Sequence, residues 1–305
     1  MRRLGHFRRG LLLTALTAPA LAGCASPMPP LDMGQMGPEA DALLARSAAA
    51  HGLQALPGIH DISLRYEGEW PGLIDRLQPT LVDKGFRGGS EERLLLRDCL
   101  VAQAHTGPQG RKQVVRRADP AGMGQVRVWF NGEEAADPER RAAAALVADG
   151  YGLFLLGPMQ LARLRAAGRP LRLAMAGRER VTLDGAIHDC DVLRARVAPG
   201  LGFSEAEELA LFIDRQDGLT RRIRFSLNGL ESTRGAIAEV DLFDHVPRHG
   251  LRWPTRFHEH LLRPFPLPVH DWRLTGLEVN RGMTAEELSG PVFLGRAAAP
   301  GAPLA

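Results

Sequence analysis

No signature of a common catalytic site interrupts this sequence, and each absence narrows the field. There is no G-x-S-x-G elbow and no strand-turn-helix setting for a serine nucleophile, so pairs such as Ser204-Glu205 and His188-Asp189 have no catalytic context. Gly85 to Gly89 is glycine-rich but is followed by neither Lys-Ser/Thr nor a helical pattern, which excludes a phosphate-cradling loop. Zincin motifs are missing, and nothing repeats at solenoid or propeller spacing. Surplus charge is also missing. The net charge is +3, but Arg2, Arg3, Arg8 and Arg9 open the chain and no acid occurs among the first 23 residues. Without those four arginines, 34 basic residues face 35 acidic ones. A body this close to neutral does not imply a nucleic-acid partner.

What is present suits a globular protein with a substantial core: 305 residues, 45% hydrophobic and 24% charged. The N-terminus reads as an address. A basic segment, Met1 to Gly10, precedes an apolar stretch, Leu11 to Leu21, of signal-peptide length and too short to span a bilayer comfortably. Arg8-Arg9 loosely resembles a twin-arginine signal. Leu21-Ala22-Gly23-Cys24 follows and resembles the bacterial lipobox, in which the cysteine thiol is lipidated. That resemblance implies removal of residues 1–23, several acyl chains on Cys24 and stable membrane anchoring, since each buried methylene contributes about 0.8 kcal/mol. Ala25 stands where an aspartate tends to retain Gram-negative lipoproteins in the inner membrane, so the resemblance implies the outer membrane, facing the periplasm. Residues 24–39, with their Pro and Met, read as a lipidated tether.

The body, residues 40–290, is expected to be one domain, with residues 291–305 as a flexible tail. Pro38 to Leu56 has helical spacing, and Ile59 to Trp70 alternates as a strand. Further strand patterns occupy Arg93–Gln103, Arg111–Arg117 and Gln125–Phe130, the last ended by Asn131-Gly132. Asp137-Pro138 suits a helix start, and Ala142 to Ala167 predicts two or three short helices broken at Gly150 and Gly157-Pro158. Strand patterns resume at Leu171. Asp184-Gly185 is a turn, Ile187 to Val197 a long strand, and Glu208 to His260 an antiparallel meander with one apolar face. His270 to Asn280 is a last strand. The helices need a surface to bury against, and the apolar face of the sheet provides it.

Leu211-Phe212-Ile213-Asp214 with Gly218-Leu219, and Gly250-Leu251-Arg252-Trp253-Pro254-Thr255, set in this order of elements behind a lipobox, make the chain resemble the LolA/LolB-like envelope proteins over roughly 40–280. The resemblance implies an α+β, mainly β fold: a half-open antiparallel barrel covered by a helical insertion, with an N-terminal helix. It implies a non-catalytic protein without cofactor or metal, binding lipid or the acyl chains of a lipoprotein. The cavity candidates are Leu211, Ile213, Ile223, Phe225, Leu227, Trp253 and Phe257, which the period-2 pattern places on apolar faces. The same residues could instead fill a plain core, giving a structural or interaction lipoprotein. A hydrolase assembled from distant loops is a third reading, and requires a cleft with a histidine bonded to a serine or carboxylate. Cys99 and Cys190 are left once Cys24 is lipidated; in an oxidising envelope they could form a disulfide or stay as buried thiols. His258 and His260 share a strand face, but no third ligand completes a metal set at a recognised spacing.

Overall fold

The computed structural model describes residues 27–29, 37–119 and 122–304. Cys24, the signal segment and most of the tether lie outside the described residues. The elements run α1 (Pro38–Ala50), β1 (Asp61–Glu69), α2 (Gly72–Leu77), α3 (Pro79–Val82), β2 (Gly89–Leu95), β3 (Leu100–Gly107), β4 (Gly110–Arg117), β5 (Gln125–Phe130) and β6 (Glu133–Glu134). The long helix α4 (Pro138–Ala166) follows, then β7 (Leu171–Leu183), β8 (Ala186–Val197), β9 (Glu207–Asp214), β10 (Thr220–Ser226) and β11 (Ile237–Phe243). A small hairpin, β12 (Val246–Arg248) and β13 (Leu251–Trp253), precedes β14 (Arg256–Arg263), β15 (Leu267–Val279) and α5 (Ala285–Leu288).

The main sheet has 13 antiparallel strands in the order β6-β5-β4-β3-β2-β1-β15-β14-β11-β10-β9-β8-β7. Its two edges, β6 and β7, are consecutive in sequence and joined by α4, so the connection that could have closed the barrel is a helix. This is the half-open, mainly β architecture expected from the sequence. Turn chemistry sets the hairpins. Asn131-Gly132 and Asp184-Gly185 both take positive φ at each residue, the conformation that two-residue hairpin loops demand.

Helix α4 is one element rather than two or three. Asp137 caps it, its side chain accepting from the Glu139 amide at 2.9 Å, with Pro138 in the first turn. Gly150 does not break it: its backbone stays helical and buried among α4's packed neighbours. At Gly157 the backbone departs from helical angles (φ 41°, ψ −118°) ahead of Pro158, which kinks the helix without ending it. By length and composition α4 could cross a membrane, but 83% of its most apolar stretch is buried inside the fold. It packs on α1, α3 and strands from both halves of the sheet. The Arg116 guanidinium donates to both carboxylate oxygens of Asp149 on α4 at 2.9–3.2 Å, and the Gly202 amide donates to the same carboxylate at 2.8 Å.

The outer face of the sheet is not simply polar. Leu95, Leu100, Ala102, Val115 and Trp129 form one outer apolar patch, covered by Met283, Leu288, Phe293 and Ala297. This corrects the expectation of a flexible tail over 291–305. Arg93, fully buried, donates to the carbonyls of Ala297 and Ala299 at 3.0 Å and lies over the Phe293 ring, so the tail is held by the sheet. A second outer patch around Val181, Cys190, Val192 and Phe212 is covered by Met28 from the tether. The possible disulfide is corrected as well. Cys99 and Cys190 are both free thiols, the first in the β2–β3 turn with positive φ and the second in β8, with six strands between β2 and β8 in sheet order.

Candidate functional site: an apolar groove under two short helices

The inner face of the sheet divides into a filled part and a hollow part. In the filled part α1 presses Leu43, Leu44 and Ala48 onto the sheet. It is tied down by a contact between the Ser47 and Thr220 hydroxyls at 3.2 Å and by the Thr220 amide donating to His51 Nε2 at 3.0 Å. Five of the sequence-nominated cavity residues lie in this packed cluster: Leu211, Ile213, Ile223, Trp253 and Phe257, each no more than 2% exposed. The Trp253 indole N–H donates to the Arg248 carbonyl at 2.8 Å, and the Phe257 ring stacks on Trp272 at 4.8 Å. Neither side chain faces open space.

The hollow part is a groove of about 220 Å³ between α4, the short helices α2 and α3, and the ends of β10, β11, β14 and β15. Two nominated residues, Phe225 and Leu227, line it. The rest of its wall escaped sequence reasoning: Trp70, Ile74, Leu81, Tyr151, Phe154 and Val269 are joined by the small residues Gly150, Ala236 and Ala238. Small residues on facing walls leave the space. At the mouth stand Leu77 and Phe265, large apolar side chains 45% and 47% exposed. The mouth is bridged by Gln78, whose side-chain amide donates to the Ser232 carbonyl at 3.2 Å and accepts from the Ser232 hydroxyl at 3.0 Å. Both are exposed bonds of roughly 0.5–1.5 kcal/mol each. Beneath them Ile74 and Val82 are buried against Val269, and the Val82 carbonyl accepts from Arg87 Nε at 3.0 Å, so apolar packing also anchors α2 and α3. Helix α4, held by Arg116 and Asp149, is the fixed roof, and the short helices α2 and α3 cover the groove on the other side.

One charged side chain enters the groove. Glu259 on β14 is half-buried, with no hydrogen bond or ion pair among the described residues, and its apolar surroundings push its pKa up to about 8. At neutral pH it is mostly a protonated carboxyl, a hydrogen-bond donor in an otherwise apolar channel. The sequence did carry a signal for it, since Phe257, Glu259 and Leu261 fall on one face of an alternating strand and a glutamate there breaks the apolar register.

At one end the groove meets a polar niche through Trp70 and Tyr151, which line both. Trp70 stacks on His270 at 3.9 Å and His270 on Trp272 at 4.4 Å. Beyond them lie Arg87, Ser90 and His105. Ser90 Oγ is 2.8 Å from His105 Nδ1, the kind of pair that the hydrolase reading requires. The second group on that imidazole is the Arg87 guanidinium at 3.2 Å rather than a carboxylate, and burial with nearby positive charge holds His105 well below the usual histidine range. A base without an orienting carboxylate and next to a cation is poorly set to activate a serine. His258 and His260 lie edge to face at 4.0 Å, and His258 Nδ1 bonds the Asp271 carboxylate. Among the described residues no group of three or more His, Cys, Asp or Glu side chains is placed to hold a metal ion.

Fold and groove together define a class: an incomplete antiparallel barrel that keeps an apolar groove under a helical cover. No family model matches the chain, and no curated protein is similar to it in sequence. Solved structures are similar in fold. A domain described as an outer membrane lipoprotein-sorting protein from Vibrio parahaemolyticus matches at 10% identity and a TM-score of 0.45, covering 82% of this chain and 97% of that one. A LolA superfamily protein from Nitrosomonas europaea matches at 10% identity and a TM-score of 0.46, over 82% and 96% of the two chains. Similarity at this level concerns the course of the backbone, and the function has to be argued from the groove.

Proposed function

We propose that this protein is a lipid-anchored envelope protein that binds an acylated molecule, a lipid or the acyl chains of a lipoprotein, in the groove under α2 and α3, without catalysing a reaction. The observation that supports it is the groove itself, apolar walls with a mouth rimmed by exposed Leu77 and Phe265 and bridged by the exposed Gln78–Ser232 hydrogen bonds. Such a surface is costly to leave in water and gains when an alkyl chain replaces the water. Roughly ten buried methylenes gain about 8 kcal/mol. Association costs about 4–15 kcal/mol in lost freedom, so one chain alone is near break-even and a second chain or a polar contact decides the affinity. Lipidation at Cys24, the membrane it would enter and an outer-membrane position facing the periplasm belong to the same proposal and rest on the lipobox resemblance.

The test is to secrete residues 25–305, which contain every described residue, into a native-like envelope and weigh the purified protein by native mass spectrometry. A stoichiometric acylated adduct is expected, with uptake of a fluorescent fatty acid by the delipidated protein. Ala236→Trp should fill the groove and abolish uptake while the protein stays folded. No adduct and no uptake would sink the proposal. Incorporation of an alkyne-tagged fatty acid into the full-length chain, lost in Cys24→Ser, checks the anchor separately.

A further inference from the structure

The polar niche at the end of the groove contains an unusual cation. Arg87 Nε donates to the Val82 carbonyl at 3.0 Å and Nη1 to His105 Nδ1 at 3.2 Å, but Nη2 is buried with no partner. No carboxylate forms an ion pair with Arg87 among the described residues. Asp83, the acid four residues before it, is taken by Lys112. Glu67, which also borders the niche, is held outward by Arg273 at 3.0 Å, and Glu92, buried on β2, accepts from Gln103. Both neighbouring imidazoles, His105 and His270, are held well below their usual pKa and are neutral. A guanidinium this enclosed is expensive without an anion, because a buried charge needs a partner. The niche holds about 10 Å³ of free space, roughly what one oxygen atom requires. It shares the Trp70 and Tyr151 side chains with the groove, and the Arg87 guanidinium lies 5.4 Å from the Trp70 ring centre.

We infer that the groove selects an amphiphile with an anionic headgroup, a carboxylate or phosphate whose oxygen enters the niche and takes the free Nη2 of Arg87 while the alkyl chain lies along the groove. The inference rests on the proposed binding of acylated molecules in that groove. It also supplies the polar contact that a single chain needs, since a hydrogen bond to a charged group raises affinity about tenfold or more.

The experiment compares dodecanoate, dodecyl phosphate and dodecanol by displacement of a fluorescent fatty alcohol from residues 25–305 and from Arg87→Gln and Arg87→Lys. Wild type should bind both anions about tenfold or more tightly than dodecanol. Arg87→Gln should remove that preference, so that the two anions and dodecanol bind alike, with its circular dichroism spectrum showing that the variant is folded. Arg87→Lys should keep part of the preference. Equal wild-type affinity for the anions and the alcohol overturns the headgroup assignment, and does so even if Arg87→Gln fails to fold. Equal losses for all three ligands in a folded Arg87→Gln overturn it too. Inorganic phosphate alone should not bind at these concentrations; if it does, Arg87 serves free anions and the assignment fails. If no amphiphile binds wild type, the groove reading itself has failed, a different result from the absence of preference.

Discussion

The two parts of the barrel interior are written in the same pattern and end differently. Leu211 and Ile213 on β9 and Ile223 on β10 take every second position inward, as Phe225 on β10 and Ala238 on β11 do, yet the first set is sealed and the second borders a groove. What separates them is the cover. Over the filled part lies α1, 13 residues long and bonded to β10 through Ser47 and His51. Over the hollow part lie α2 and α3, of 6 and 4 residues, which are too short to press a full apolar face onto the sheet and leave Leu73 and Leu77 about half exposed. A sheet face becomes core or ligand wall according to what sits on it, and its own alternation does not say which.

The contrast can be broken by experiment, and the largest effect belongs to the fixed roof. Asp149→Ala should destabilise the protein by about 3–5 kcal/mol in urea denaturation, because Arg116 is left buried without its partner. A loss below about 1 kcal/mol would mean that α4 is not pinned and could itself be the moving cover. Next, Leu211→Ala should cost about 2–5 kcal/mol by opening a cavity in packed surroundings. Leu227→Ala should cost clearly less, since that side chain already borders free space, and equal losses would erase the distinction between the two parts.

Glu259 gives a pH signature. Its pKa rises from an ordinary carboxyl value near 4.5 to about 8 on folding, so the folded state holds a proton that the unfolded chain releases. Stability contributed by this group is therefore lost progressively as pH rises from about 4.5 to about 8. Glu259→Gln should remove that slope and stabilise the protein near pH 9 by about 1–3 kcal/mol, with little change near pH 4. A variant no more stable than wild type near pH 9 would show that Glu259 is hydrated. The smallest effect concerns the latch. Gln78→Ala should cost about 1 kcal/mol or less in global stability but speed release of a bound fatty acid, measured by stopped flow. Unchanged release would place the exit elsewhere than under α2 and α3.

Much of the architecture was legible because it rests on local chemistry. The Asp137-Pro138 cap, the hairpins at Asn131-Gly132 and Asp184-Gly185 and the alternation through β10 to β14 all carry their signals within a few residues. What depends on distant contacts was not legible. The tail looked frayed because its Ala and Pro residues show no periodicity, yet Arg93 reaches it from more than 200 positions away. One apolar face is all that the meander's alternation implies, whereas Ile237 and Phe212 on the other face are buried with Met28 of the tether, a contact no local pattern carries. The helical insertion looked segmented because Gly150 and Gly157-Pro158 weaken local propensity, which packing on both halves of the sheet overrides. Of the nominated site residues only Phe225 and Leu227 reach the groove. Trp70, Ile74 and Val269 were missed because their elements meet only in the folded chain.

The most direct test of the division between sealed core and open groove is photo-crosslinking with a diazirine-bearing fatty acid, mapped by peptide mass spectrometry. Labels should fall on the segments that line the groove, around Trp70 to Leu81, Leu227 to Ala238 and Glu259 to Val269. Labelling of Leu43, Leu211, Ile213 or Trp253, or no saturable labelling at all, would contradict the account.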